Sequence, residues 1–219
     1  MKKPKIFIAC DTSDLTKVKK IIKQTQSSKI KIGYKFGLEF MNSINGRKFL
    51  SKLKKKIIFV DLKLNDTVNT MLSAVKTLKD LKINYLTVHI SSGLSALKAV
   101  KKVSGSTKII GVTTLTSLNN KDLKLIGYNK SVKNLVIHQA KLAKKVGLDA
   151  LVCSPHEVSI VRKVFKKEII TPGVQIGKKN YDQKRSMEAK KVSSDWLVIG
   201  RSVTRGNIKK NIQKLIKSL

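Results

Sequence analysis

Residues 57–70 read I-I-F-V-D-L-K-L-N-D-T-V-N-T, and the fold turns on how this stretch is read. Ile57, Ile58, Phe59 and Val60 form a continuous apolar run rich in β-branched and aromatic side chains. Such a run predicts a strand buried on both faces, as in a parallel sheet covered by helices. Asp61, Lys63 and Asp66 follow at once. Side chains two apart on a strand point the same way, so Asp61 and Lys63 are expected on one face. If that face looks into a closed sheet, an acid and an amine are held together out of bulk water. Such burial costs free energy unless the charges are paired or put to chemical use. Asp66 is expected to start an amphipathic helix with Val68, Leu72, Val75, Leu78 and Leu81 as its apolar stripe. A carboxylate suits the positive end of that helix. A purely structural ion pair would gather the same charges, so the triplet alone does not fix a function.

Outward from this stretch, short apolar runs alternate with helical patterns. Runs at 6–9, 30–34, 85–90, 108–112, 150–153, 168–170 and 196–199 supply seven further strands. Helical spacing is expected from Asp14 (Leu15, Val18, Ile21, Ile22), around 40–53, up to about Val103, over 132–146 and over about 207–219. Eight strands alternating with helices in 219 residues predict an α/β fold, a single-domain (β/α)8 TIM barrel spanning residues 1–219. A doubly wound open sheet usually carries a glycine-rich first turn, whereas the first run here ends C-D-T-S-D.

The formal net charge is +34. Such basicity ordinarily suggests nucleic acid or an anionic surface. The distribution argues against both. Only five of the 47 basic residues are arginine, the lysines run through every segment, and aromatics make up 5% of the chain with none interleaved in a basic run. Stacking platforms for bases are therefore not expected, and an A/T-biased coding sequence accounts for the lysine excess. No apolar run approaches the ~18 residues of a membrane span, and the N-terminus lacks the apolar core of a signal peptide. A cytoplasmic location with no membrane partner is expected. Cys10 and Cys153 offer neither a disulfide framework nor zinc spacing.

The polar and glycine residues collect after the strands, at the barrel face where active sites form. Asp11 ends the first strand, Lys31 lies in the second, and Asp61, Lys63 and Asp66 follow the third. Thr116 and Ser117 follow the fifth, Pro172 the seventh, and Gly200 and Arg201 the eighth. Gly200-Arg201 before a helix suits a phosphate, with backbone N–H groups beside a guanidinium, although a turn followed by a surface arginine reads equally well. His89 is expected as a hydrogen-bonded core residue near the site, His138 and His156 as surface residues.

Together these pieces resemble the orotidine 5'-phosphate decarboxylase family along almost the whole chain. The resemblance is carried by I-A-C-D, I-K-I-G, V-D-L-K-L-N-D-T-V-N-T, V-H-I-S-S-G, G-V-T-T-L-T-S, T-P-G-V, D-Q-K-R and V-I-G-R-S-V-T. It implies cofactor-independent, metal-free decarboxylation of orotidine 5'-monophosphate (OMP) to UMP and CO2. It implies that Lys31, Asp61, Lys63 and Asp66 form an alternating charged network. It also implies a homodimer, with Asp66 and Thr70 reaching into the partner's site. Asp11 and Lys31 would hold the ribose hydroxyls, and Ser117, with Thr116 beside it, would contact the pyrimidine. Gln183, Gly200 and Arg201 would grip the phosphate, with residues 172–183 closing as a lid. Many bacterial members read T-P-G-I-R-P where this chain has Gln175 in the arginine position; Lys178 or Lys179 would then supply charge on the phosphate side. Magnesium-dependent sugar-phosphate lyases, such as hexulose-phosphate synthase and keto-gulonate-phosphate decarboxylase, share the D-x-K-x-x-D element. The L-T-S, D-Q and G-R elements favour the nucleotide.

Overall fold

In the structure, a computed structural model that describes residues 5–175 and 187–219, the expected runs close into a barrel. Its strands are β1 (Lys5–Ala9), β2 (Ile32–Gly37), β3 (Ile57–Leu64), β4 (Tyr85–His89), β5 (Lys108–Val112), β6 (Ala150–Val152) and β7 (Glu168–Thr171). Two short strands, β8 (Val174–Gln175) and β9 (Met187–Glu188), pair outside the barrel, and β10 (Trp196–Ile199) closes it against β1. Each barrel strand runs parallel to its neighbours, in the order β1-β10-β7-β6-β5-β4-β3-β2.

Alternation along the strands divides the core in two. Ile6, Ile8, Tyr34, Phe36, Ile58, Val60, Leu86 and Val88 face the helices. Phe7, Phe59, Tyr85, Ile110, Ala150, Ile170, Trp196 and Val198 fill the interior. Phe7 stacks on Trp196 with ring centroids 4.0 Å apart and meets Phe59 edge-on at 5.0 Å. Burying each large apolar side chain stabilises the fold by roughly 1.5–3 kcal/mol, so the interior is a packed core with no pore. Gly33 is needed within it, because a Cβ there would lie 2.6 Å from the Phe7 ring.

The N-terminal end of the barrel is closed by one carboxylate. Glu168 accepts hydrogen bonds from Lys5 Nζ (2.9 Å), Lys108 Nζ (2.9 Å), the Tyr85 hydroxyl (2.9 Å) and Trp196 Nε1 (3.3 Å). Burial alone would raise its pKa, but the hydrogen bonds from Lys5, Lys108 and Tyr85 bring it down to about 2.

The helices form where capping and periodicity agree. Asp14 accepts from Lys17 N (3.0 Å) and starts the helix Leu15–Gln24, which buries Val18, Ile21 and Ile22. Ser131 caps Val132–Val146, and Gly147 ends it in the left-handed conformation. The stretch expected to be helical around 40–53 is two short helices, Leu38–Met41 and Gly46–Lys52. The chain folds back between them so closely that a Cβ on Gly46 would meet Phe40 O at 2.1 Å. The helix after β3 covers Val68–Thr77 and tightens into a 3-10 turn, Leu78–Leu81. Its buried stripe is Met71, Val75, Leu78 and Leu81, with Met71 in the place expected for Leu72. No helix among the described residues is long and apolar enough to cross a membrane.

Candidate active site

The C-terminal ends of the strands surround a cavity of about 550 Å³. Its wall includes Asp11, Lys35, Asp61, Lys63, Thr116, Pro172, Gly200 and Arg201. Four of these, from three adjacent strands, form a continuous chain of charge. Lys35 Nζ donates to Asp11 Oδ1 at 2.7 Å and lies 3.4 Å from Asp61 Oδ2. Lys63 Nζ lies 3.0 Å from the same Asp61 oxygen. The order acid, base, acid, base places an opposite charge beside each group, which is the condition for burying the two in the middle, Lys35 and Asp61.

The strands explain how this comes about. On β2, Gly33, Lys35 and Gly37 share the inward face, and the register pairs Ala9 with Lys35 and Gly37 with Asp61. Lys35 is 8% exposed and reaches between the ends of β1 and β3. Gly37 leaves the space beside it: a Cβ there would lie 2.9 Å from Asp11 Oδ1 and 3.4 Å from Lys35 Nζ. On β3 the expectation that Asp61 and Lys63 meet is realised through an irregular backbone. The pairing with β4 shifts register between Val60 and Leu64, and Lys63 takes a left-handed φ of 51°. A non-glycine residue there costs of order 1–2 kcal/mol and persists only where its surroundings hold it.

The electrostatics follow from the geometry. Burial on its own would raise the Asp61 pKa, but Lys35 and Lys63, with hydrogen bonds from Lys63 and Thr87, outweigh it and hold the carboxyl below its ordinary value. Burial on its own would lower the Lys35 pKa, and Asp61 and Asp11 together hold it above the ordinary lysine value. His89, on the same inward face of β4 as Thr87, is pushed down by burial first and by the Lys63 charge second, with Asp61 opposing. It is therefore the neutral imidazole at pH 7.

The structure corrects one expected member of the network. Lys31 precedes β2, is exposed, and offers its carbonyl to Ile6 N (2.9 Å) at the far end of the barrel. The place expected for it belongs to Lys35. The strand starts two residues later than the 30–34 run suggested and continues to Gly37, which carries the second lysine, not the first, to the mouth. The inward alternation Gly33, Lys35, Gly37 was the signal available in the sequence: small residues flanking a charge mark a lysine that must pass close to other backbones. Thr87 was also missed. It is fully buried and bonds both Asp61 and Lys63 N, and a threonine inside an apolar run carries no mark of such a role.

The remaining candidates are placed as follows. Asp66 lies one residue before the helix cap, Thr67, and its Oδ1 accepts from Thr67 N at 2.6 Å. Thr70 Oγ1 lies 3.0 Å from Thr67 Oγ1. Asp66 and Thr70 are both exposed on this chain, and neither belongs to the wall of its own cavity. Thr116 lines the cavity, whereas Ser117 sits exposed on the adjoining turn. Gly200 caps the helix Arg201–Thr204 and its carbonyl accepts from Val203 N (2.9 Å) and Thr204 N (3.1 Å). Gln183 and the side chain of Gln175 lie outside the described residues.

Comparison with known proteins agrees with the barrel fold. A chain named orotidine 5'-phosphate decarboxylase from Wolbachia sp. subsp. Brugia malayi is 40% identical over 225 aligned residues, covering 98% of each chain. One of the same name from Buchnera aphidicola subsp. Schizaphis graminum is 37% identical, covering 99% of this chain and 96% of the other. Among solved structures, the orotidine 5'-phosphate decarboxylase of Lactobacillus acidophilus superposes with a TM-score of 0.82 at 27% identity, covering 99% of both chains. The Methanocaldococcus jannaschii orotidine 5'-monophosphate decarboxylase, solved with the inhibitor BMP, shares the fold with a TM-score of 0.80 at 22% identity over 100% of this chain and 99% of that one. Residues 4–214 match the family model, and the chain belongs to the orotidine 5'-phosphate decarboxylase / HUMPS family.

Proposed function

We propose that this chain converts OMP to UMP and CO2, and that Asp11, Lys35, Asp61 and Lys63 are its charged machinery. The observation that carries this reading is the alternation of two acids and two amines on one wall of the cavity, with Lys35 and Asp61 buried at its centre. A single reacting carboxylate, set beside Asp61 and Lys63, explains why both charges are kept there. The chain's likeness to relatives bearing the decarboxylase name over nearly their whole length favours the nucleotide over the sugar phosphates of the wider family.

In this mechanism the substrate carboxylate lies against Asp61, and the repulsion between them is relieved as the C6–carboxyl bond breaks. The electron pair left on C6 faces the Lys63 ammonium, whose positive charge is in place before it develops. Such preorganised charge is ordinarily the largest catalytic contribution. Lys63 then passes a proton to C6 and regains one from water, so the reaction needs no redox partner. Asp11 and Lys35 hold the ribose hydroxyls, and Thr116 lies towards the base. Gly200 and Arg201 take the phosphate, whose remote binding helps to lower the barrier. The family resemblance assigns Gln175 and Gln183 to the phosphate and Ser117 to the pyrimidine.

The active unit in this reading is a homodimer in the cytoplasm. The exposure of Asp66 and Thr70 beside the mouth supports it, since side chains meant for a partner's site face away from their own. The direct test is the fall in OMP absorbance with purified protein, with and without EDTA, beside Lys63→Ala. EDTA-insensitive conversion to UMP that vanishes in the variant is the expected result. A folded dimer that leaves OMP unchanged would overturn the assignment.

A further inference from the structure

Three residues of β3 stand opposite one residue of β4. Val60 pairs with Leu86 and Leu64 with Val88, so Asp61, Leu62 and Lys63 face Thr87 alone. An irregularity of this kind leaves ladder groups without their usual backbone partners. Here the Thr87 side chain replaces them. Its Oγ1 accepts from Lys63 N at 2.9 Å and donates to Asp61 Oδ1 at 3.0 Å. The hydroxyl has one hydrogen, and that hydrogen goes to Asp61.

The Asp61 carboxylate is thereby divided between its two oxygens. Oδ1 is occupied by Thr87, and Oδ2 is left for the two ammonium groups, Lys63 at 3.0 Å and Lys35 at 3.4 Å. The same hydroxyl ties down the backbone of Lys63, whose left-handed φ of 51° is a conformation that needs external support. Thr87 is 0% exposed and does not line the cavity, so it acts only through Asp61 and Lys63.

We propose that Thr87 is a positioning residue for the decarboxylation: its single hydroxyl sets the direction of the Asp61 carboxylate and holds the irregular turn that presents the Lys63 ammonium. The inference rests on the reading of Asp61 and Lys63 as the reacting pair. A displacement of about 1 Å at reacting groups can cost on the order of 100-fold in rate, so the effect is expected in turnover and not in substrate binding.

Two substitutions separate positioning from packing. Thr87→Val keeps the shape and removes the hydroxyl; Thr87→Ser keeps the hydroxyl and removes the methyl. With OMP, kcat of Thr87→Val is expected to fall roughly 10- to 100-fold with KM within about three-fold, while Thr87→Ser stays within about three-fold in both. A crystal structure of Thr87→Val should show the Asp61 carboxylate turned and Lys63 Nζ out of hydrogen-bond reach of it. The proposal is overturned if Thr87→Val keeps the parental kcat, if Thr87→Ser loses as much as Thr87→Val, or if the Asp61–Lys63 pair in the valine variant superposes on the parent. Failure of the parent to turn over OMP would instead overturn the assigned reaction, and the crystal structure would still decide the role of Thr87.

Discussion

Lys35 Nζ lies 3.4 Å from Asp61 Oδ2, although the two residues come from different strands and each is buried to within 8% of complete. Lys35 is the only one of the four charges that touches both acids. Removing it leaves Asp61 with Lys63 as its one ion-pair partner beside the Thr87 hydroxyl, and takes from Asp11 its ion pair with Lys35. Lys35→Ala is expected to lower kcat/KM roughly 100- to 1,000-fold, whereas Lys31→Ala, an exposed change at the opposite end of the barrel, should stay within about two-fold. Steady-state kinetics on the two variants checks this, and equal effects would undo the assignment of the network to Lys35.

The pH dependence follows from the same pair. The Asp61 pKa is depressed, so its contribution to stability is complete above the unfolded carboxyl value and is lost as pH falls through the lower folded value. The Lys35 pKa is raised, so its contribution is complete below the unfolded lysine value and is lost only as pH rises through the higher folded value. The ion pair is therefore intact across the whole neutral range. The lowered His89 pKa moves its charge change towards the acid side of the ordinary imidazole range. kcat is expected to be flat from about pH 6 to about pH 9, and a titration near pH 7 in the kcat profile would show that a group outside this network controls the rate.

The barrel was legible because its strands are buried on both faces and read as unbroken apolar runs, of which Ile57–Val60 is the clearest. The inward position of Asp61 followed from counting along that run. What could not be counted was where β2 starts. Lys31 and Lys35 have the same parity relative to Gly33, so both point inward by alternation, and only the strand's limits decide which reaches the mouth. Those limits are set by pairing with β1 and β3, and the burial of Lys35 depends on Asp11 and Asp61, which are distant in sequence. Thr87 was hidden for a related reason. Its role is created by an irregularity in a neighbouring strand, and local sequence carries no trace of that.

Glu168 offers a test of stability that leaves the chemistry alone, because it closes the end of the barrel opposite the cavity. Its folded pKa of about 2, against an ordinary 4.5, means its contribution is complete above 4.5 and disappears as pH falls towards 2. Discounted for its partial exposure, the contribution is of order 1–2 kcal/mol. Glu168→Gln should lower the melting temperature at pH 7 by a few degrees, with kcat per folded molecule unchanged. The gap between variant and parent should narrow as the pH is taken below 4.5. A gap that persists at low pH would mean that packing, and not charge, is what Glu168 supplies.

The exposure of Asp66 and Thr70 gives the proposed dimer a prediction that folding defects cannot imitate. If each site combines Lys63 of one protomer with Asp66 of the other, then Lys63→Ala and Asp66→Ala are each inactive alone. A mixed dimer of the two carries both defects in one site and neither in the other. Random re-association of equal amounts makes half of the dimers mixed, each with one working site, so about a quarter of the parental activity should return. Unfolding and refolding the two variants together, beside each refolded alone, measures this. Recovery at that level would place the carboxylate of Asp66 across the interface. Activity that stays at the sum of the separate variants would confine each site to one chain, and the exposed Asp66 would then act only where it is seen, at Thr67 N before the helix.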